Sequence, residues 1–186
     1  GFGGTLPSEL GNLTALASLR LHQNQFVGSL PAVWSGLTSM TSFLLYQNQL
    51  TGSISSTMLG AMTALQFLDI RSNQLAGSIP TEIGTLLSLQ DVLFDSNQMV
   101  GRMPSEFGRL TLLRECFLQD NLLTGSVPTE LGLLTDVLQF LYLYTNQLIG
   151  SIPAALCNAN RVTPRIDCGE ITCTCCVSSS NVACTR

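Results

Sequence analysis

The stretch Leu65 to Ser88, LQFLDIRSNQLAGSIPTEIGTLLS, recurs along nearly the whole chain. Aligned on its asparagine, it gives the series Asn24, Asn48, Asn73, Asn97, Asn121 and Asn146, at intervals of 24, 25, 24, 24 and 25 residues. A fixed period of this length marks a solenoid, in which each repeat is one turn that buries its apolar face only against its neighbours. Each asparagine closes an LxxLxLxxN frame. A glycine follows at Gly28, Gly52, Gly77, Gly101, Gly125 and Gly150, and in five turns a proline follows that, at Pro31, Pro80, Pro104, Pro128 and Pro153.

Each part of the frame has a physical role. LxL is a strand whose leucines point inward at period 2, and like strands stacked about 4.8 Å apart make a parallel sheet over one leucine core. The expected strands run Leu19–Gln23, Phe43–Gln47, Leu68–Ser72, Val92–Ser96, Cys116–Asp120 and Leu141–Thr145. The asparagine amide, with both donors and acceptors, satisfies backbone groups where the chain leaves the sheet. Glycine accepts backbone conformations that other residues resist, and proline suits an irregular return that has no strand ladder to feed. Segments such as PTEIGTLLSL read as short helical or 3-10 returns. The fold expected is therefore an α/β solenoid, a right-handed superhelix with a parallel concave β-sheet and short returns. Two turns carry one extra residue, around Ser55 and Asp136, which is expected to bulge outward from the return.

The solenoid is expected over residues 1–156. Residues 1–15 match only the second half of a repeat, through Gly4, Leu6, Pro7, Leu10, Gly11 and Leu13, so the chain reads as a piece of a longer polypeptide with a cap, signal or anchor upstream. Asn12-Leu13-Thr14 is a glycosylation sequon, open to a glycan if the protein is secreted and otherwise an ordinary repeat asparagine.

At residues 157–186 the pattern changes. This segment holds Cys157, Cys168, Cys173, Cys175, Cys176 and Cys184, a density that points to an oxidising compartment and a cap of three disulfides whose connectivity stays open. Four thiolates on a metal are the alternative, but CxCC lacks zinc-knuckle spacing and the region has no histidine. The seventh cysteine, Cys116, stands at a leucine position and reads as a buried, inert thiol.

Composition narrows the function. The chain has 186 residues, 45% apolar and 11% charged, with net charge −4 and arginine as its only strongly basic residue, which argues against nucleic acid as a partner. No apolar run is long enough to insert in a membrane. The sole histidine, His22, has no nucleophile signature beside it, and no phosphate loop or metal-ligand helix is present, so neither catalysis nor a cofactor is expected.

The frame LxxLxLxxNxLxGxIPxxLGxLxx over residues 3–157 resembles the plant-specific class of leucine-rich repeats, found in receptor-kinase ectodomains and polygalacturonase-inhibiting proteins. The resemblance implies a second short sheet beside the Gly-x-Ile-Pro segment and a ligand surface on the concave side. The tail pattern DCxxxxCxCC, Asp167 to Cys176, resembles instead the C-terminal cap of secreted or membrane-anchored repeat proteins of diatoms and related algae.

Alternation along each strand sends the residues flanking the inward leucines to the concave face, in columns. One column is Ser18, Ser42, Phe67, Asp91, Glu115 and Phe140. The next is Arg20, Leu44, Asp69, Leu93, Phe117 and Tyr142. A third is His22, Tyr46, Arg71, Asp95, Gln119 and Tyr144, and a fourth is Gln23, Gln47, Ser72, Ser96, Asp120 and Thr145. Exposed aromatics among carboxylates make Phe67, Asp69, Asp91, Asp95, Glu115, Phe117, Phe140, Tyr142 and Tyr144 the candidate site for a protein, peptide or carbohydrate ligand. Asp91 and Glu115 sit in adjacent turns like a hydrolase pair, but a repeat face stacks like residues routinely and offers no deep cleft. Calcium on Asp91, Asp95, Glu115 and Asp120 is the second choice of occupant, and a merely solvated acidic face is the bland one. The function expected is an extracellular or cell-surface recognition module. A structural, adhesive or self-associating repeat protein is the alternative.

Overall fold

The computed structural model describes residues 1–158, 162–166 and 171–172. Alternation sorts every repeat strand: Leu19, Phe43, Leu68, Val92, Cys116 and Leu141 are buried in the core, and their flanking residues form the opposite face. Seven three-residue strands, Ser18–Arg20, Ser42–Leu44, Phe67–Asp69, Asp91–Leu93, Glu115–Phe117, Phe140–Tyr142 and Thr163–Arg165, lie side by side in chain order in one parallel sheet. These strands are shorter than the sequence frame and start one residue earlier. The reason lies in the backbone before each ladder asparagine: Gln23, Gln47, Ser72, Ser96, Asp120 and Thr145 all have φ between +53° and +57°, so the chain turns sharply there. The fourth column is thus a row of left-handed corners, not a strand position.

The seventh strand extends the sheet past Cys157. Leu143 N–H donates to the Arg165 carbonyl at 2.8 Å, Pro164 lies beside Leu141 in register, and Ile166 is fully buried. A proline in the leucine position is tolerated because this strand is the edge of the sheet among the described residues. Cys168, Cys173, Cys175, Cys176 and Cys184 lie outside the described residues. Cys157 is placed only as backbone of the helix Ala154–Asn158, so the reading of a bridged cap also lies outside them.

A second layer of strands runs along the flank, as the Gly-x-Ile-Pro resemblance implied. Gly3–Thr5, Gln25–Ser29 and Gln49–Thr51 form one parallel sheet, and Ala76–Ser78, Gln98–Arg102, Leu122–Gly125 and Gln147–Leu148 form another. The Ala76 N–H donates to the Gly52 carbonyl at 2.7 Å across the join. Gly150–Ser151 pairs with Ile171–Thr172 at the far end.

The asparagine ladder stitches these layers together. Asn97 illustrates it: Oδ1 accepts from Leu75 N–H at 3.0 Å, and Nδ2 donates to the Ile70 and Phe94 carbonyls at 3.1 Å. Each amide therefore pairs groups of its own turn and the one before, which no strand ladder can reach. At the N-terminal end Trp34 is wholly buried, donates Nε1–H to the Pro7 carbonyl at 3.0 Å and meets Phe43 edge-on at 5.9 Å.

The returns follow the prolines. Pro7, Pro31, Pro80, Pro104 and Pro128, with φ from −60° to −65°, lead into the 3-10 helices Ser8–Asn12, Ala32–Gly36, Thr81–Thr85, Ser105–Arg109 and Thr129–Leu134. Where Ser55 replaces proline, its Oγ accepts from Met58 N–H at 3.3 Å, and the extra residue lengthens the return into the α-helix Ser56–Ala61. That wider turn gives Gly60 room: a β-carbon there would meet only the Glu82 side chain, at 3.4 Å. Gly60→Ala is accordingly expected to raise unfolding stability by about 0.5–1 kcal/mol in urea titrations. A loss of stability would show that the return is packed tightly at this turn too.

Candidate recognition surface

Strand register fixes which side chains meet on the concave face. Ser18, Ser42, Phe67, Asp91, Glu115 and Phe140 are aligned across successive strands, and so are Arg20, Leu44, Asp69, Leu93, Phe117 and Tyr142. Arg165 extends the second column, in register with Tyr142. The third row is carried by backbone hydrogen bonds just beyond the strands, including Ser96 N–H to the Gln119 carbonyl and Asp120 N–H to the Tyr144 carbonyl, both 3.1 Å.

The C-terminal half of the face is aromatic. Phe117 and Tyr142 stack with centroids 4.5 Å apart and planes 2° from parallel. Phe140 meets Tyr142 edge-on at 6.2 Å, and Tyr144 tilts against it at 6.3 Å. Arg165 places its guanidinium 4.8 Å from the Tyr142 centroid. Phe67, Phe117, Phe140, Tyr142 and Tyr144 are half-buried rather than fully solvent-facing, the last four packed ring against ring. The N-terminal half has its own stack, His22 on Tyr46 at 4.4 Å and 13°, with the Arg71 guanidinium 5.0 Å from the Tyr46 centroid.

Between the two stacks lie the carboxylates. Asp69 is buried, at 5% exposure; its Oδ2 lies 3.4 Å from Arg71 Nε, and its Oδ1 accepts from Arg71 N–H at 3.3 Å. Burial outweighs this cation and raises the Asp69 carboxyl to about 6. Burial likewise raises Asp91 and Asp95 despite the Arg114 and Arg71 guanidinium groups. Burial and then the Asp91 charge raise Glu115, while burial and then Asp120 raise the Tyr144 phenol. Among the described residues no three carboxylate, histidine or cysteine side chains converge to hold a metal ion, so the calcium alternative lacks a ligand set.

The sign of the pH effect follows. A carboxyl raised when folded binds its proton more tightly than in the unfolded chain, so Asp69 costs nothing below about 4 and progressively destabilises the fold as pH rises through about 6. Unfolding stability is therefore expected to fall between pH 4 and 6.5, and Asp69→Asn to flatten that fall. Equal slopes for wild type and variant, measured by urea titration at each pH, would contradict the assignment.

Cys116 is fully buried, and burial drives its thiol far above the usual range, so it is an inert core residue as the sequence reading had it. On the edge beside the concave face, Gln90, Leu112, Arg114, Asp136, Val137 and Gln139 line a cavity of ≈ 360 Å³, with Arg114 Nη2 donating to Gln90 Oε1 at 2.8 Å. It sits at the second extra residue, where the sequence showed only a bulge. Sequence reasoning also missed Arg165, since Pro164 disguised its strand, and it missed the pairing of His22, Tyr46 and Arg71, whose signal was their shared column.

The comparisons fit this architecture. The Leucine Rich Repeat model matches residues 64–86 and 137–159. The structure of the plant peptide hormone receptor RGFR1 in complex with RGF2 superposes with a TM-score of 0.84 at 31% identity over 92% of this chain, which covers 27% of that chain. The Arabidopsis thaliana BIR3–SERK2 complex matches at 33% identity and a TM-score of 0.61, covering 70% of each chain. A plant ice-binding protein matches at 25% identity and a TM-score of 0.80, over 92% of this chain and 54% of that one. No curated protein sequence matches the chain. The protein belongs to the leucine-rich repeat family, and its repeats are of the kind that build plant receptor ectodomains.

Proposed function

We propose that this chain is a recognition module of an extracellular or cell-surface protein and holds a peptide, protein or carbohydrate partner against its concave face. The observation that carries the reading is the stacked cluster of Phe117, Phe140, Tyr142 and Tyr144 on an open sheet face, bordered by Asp91, Asp95 and Glu115. Rings fixed on rigid stacked strands bind without first losing conformational freedom, and a ring with carboxylates at its rim suits a partner that is part apolar and part hydrogen-bonding. Likeness to a plant peptide hormone receptor, described in complex with RGF2, supports a peptide as the first partner to try. A bridged tail and a glycan on the exposed Asn12 belong to the same extracellular reading.

The test uses immobilised peptide and glycan arrays. Phe117→Ala/Tyr142→Ala is expected to retain its melting temperature within a few degrees and lose array binding at least tenfold, because both side chains lie outside the leucine core. If the double variant binds as wild type does, while a change at Val100 or Leu122 abolishes binding, the flank is the recognition surface instead.

A second reading rests on that flank. Its strands expose glutamine, serine, threonine and the apolar Val27, Val100 and Leu122, with Ile149 exposed just beyond Gln147–Leu148, and among the described residues their only charged residue is Arg102. A flat, nearly uncharged array at strand spacing suits contact with an ordered or identical surface, in keeping with the adhesive alternative and with the likeness to an ice-binding protein. Inhibition of ice recrystallisation, or a concentration-dependent mass, removed by Val100→Arg and kept in the Phe117/Tyr142 variant would favour it.

A further inference from the structure

We propose that Asp95 and Gln119, with Tyr144 beside them, form a seat for a guanidinium group carried by the ligand, an arginine side chain of a peptide. The inference rests on the concave-face reading and names what the centre of that face takes. Asp95 Oδ1 and Gln119 Oε1 are buried without a hydrogen-bond partner, and Gln119 is only 7% exposed. The two residues occupy the same position on consecutive turns, held in register by the Phe94 N–H to Phe117 carbonyl bond at 2.8 Å and the Ser96 N–H to Gln119 carbonyl bond at 3.1 Å. Two acceptors on adjacent turns, about 4.8 Å apart at the backbone, call for a ligand that brings more than one N–H donor in a fixed plane. A guanidinium does so, and it also supplies a countercharge for the half-buried carboxylate of Asp95.

Among the described residues no guanidinium hydrogen-bonds to either oxygen. Arg71, next in the row, acts on Asp95 through its charge but spends its contacts elsewhere, paired with Asp69 at 3.4 Å and laid over Tyr46 at 5.0 Å. The surface itself shows how it receives arginine: Arg71 lies over Tyr46, and Arg165 over Tyr142. Tyr144 closes the same row as Asp95 and Gln119 and, among the described residues, has no guanidinium over its ring. Asp120, one residue beyond Gln119, is exposed and adds a second negative charge at the mouth. A neutral sugar would satisfy the ring and the acceptors but not these charges, which decides for the basic peptide.

The test uses the whole chain and a fluorescein-labelled tri-arginine peptide, its citrulline counterpart and a glucosamine oligomer, each titrated at physiological salt. Citrulline keeps shape and loses charge, so its peptide is expected to bind at least tenfold more weakly, the scale of one charge-assisted hydrogen bond. Asp95→Asn is expected to cost about tenfold, Gln119→Lys to abolish binding, and Gln119→Glu to strengthen it. Asp136→Asn, away from the row, should leave binding unchanged. Equal binding of the arginine and citrulline peptides, or tighter binding of the glucosamine oligomer, overturns the seat. So does a Gln119→Glu variant that binds less tightly and unfolds earlier, since the amide would then be a donor to Asp95. If tri-arginine binding is lost in Phe117→Ala/Tyr142→Ala but untouched by Asp95→Asn and Gln119→Lys, the concave reading stands and the seat is wrong. If none of these variants alters it, the concave reading fails as well.

Discussion

Replacing Asn121 with alanine is expected to lower the free energy of unfolding by about 3 kcal/mol, the upper range for stranding buried polar groups. Asn121 is 6% exposed, and its side chain makes four hydrogen bonds: Oδ1 accepts from Met99 N–H at 2.9 Å, and Nδ2 donates to the Phe94, Leu118 and Gln119 carbonyls at 3.1, 3.1 and 3.2 Å. Alanine strands the Met99 N–H in a region water does not reach and takes one of two donors from the Phe94, Leu118 and Gln119 carbonyls, which keep only Asn97 Nδ2, Asn146 Nδ2 and Ser96 N–H. Because the bonded groups belong to neighbouring turns, the loss uncouples one turn from the next rather than loosening one loop. Asn12, exposed at the end of a 3-10 return, offers the contrast, and Asn12→Ala is expected to stay within about 0.5 kcal/mol of wild type. Equal urea midpoints for the two variants would mean that the ladder does not carry the coupling.

Gly108→Ala is expected to cost about 1–3 kcal/mol, the usual penalty for overpacking, and to broaden the unfolding transition. A β-carbon on Gly108 would lie 2.6 Å from both the Cβ and the carbonyl oxygen of Glu130 in the next return. The carbonyl is backbone and cannot swing aside, so two returns must separate. Gly84 faces the same geometry, with Glu106 Cβ at 2.6 Å and its carbonyl oxygen at 2.9 Å. Glycine in these returns therefore sets how closely consecutive turns stack, and Gly60 escapes the rule because its return is an α-helix. If Gly108→Ala and Gly60→Ala shift stability alike, the returns are not in the close contact that these distances imply.

The repeat made most of this legible. Leu68, Val92 and Leu141 declared the core by position, Asn73 and Asn97 declared the ladder, and Pro80 and Pro104 declared where each return begins. The columns of the concave face were readable too, because a parallel sheet of like strands keeps register from turn to turn, so Asp91 beside Glu115 followed from spacing alone. What spacing does not encode is the behaviour of single side chains. Left-handed φ at Gln23 or Thr145 is imposed by the turn and is rare for such residues, so composition gave no sign of it. Asp69 looked like a surface acid, yet it is buried at 5% exposure with Arg71 3.4 Å away. The strand at Thr163–Arg165 was hidden by Pro164, and with it the arginine that lies over Tyr142.

The claim at the centre of this account is that recognition belongs to the concave columns of the later turns. Hydroxyl-radical footprinting of the chain, free and saturated with tri-arginine peptide, tests it directly, because Phe117, Phe140, Tyr142 and Tyr144 react readily and no core residue competes with them. Protection is expected at Phe117, Tyr142 and Tyr144, with Val27, Val100, Leu122 and Ile149 on the flank unchanged. Protection of the flank residues with the concave rings still reactive would contradict it.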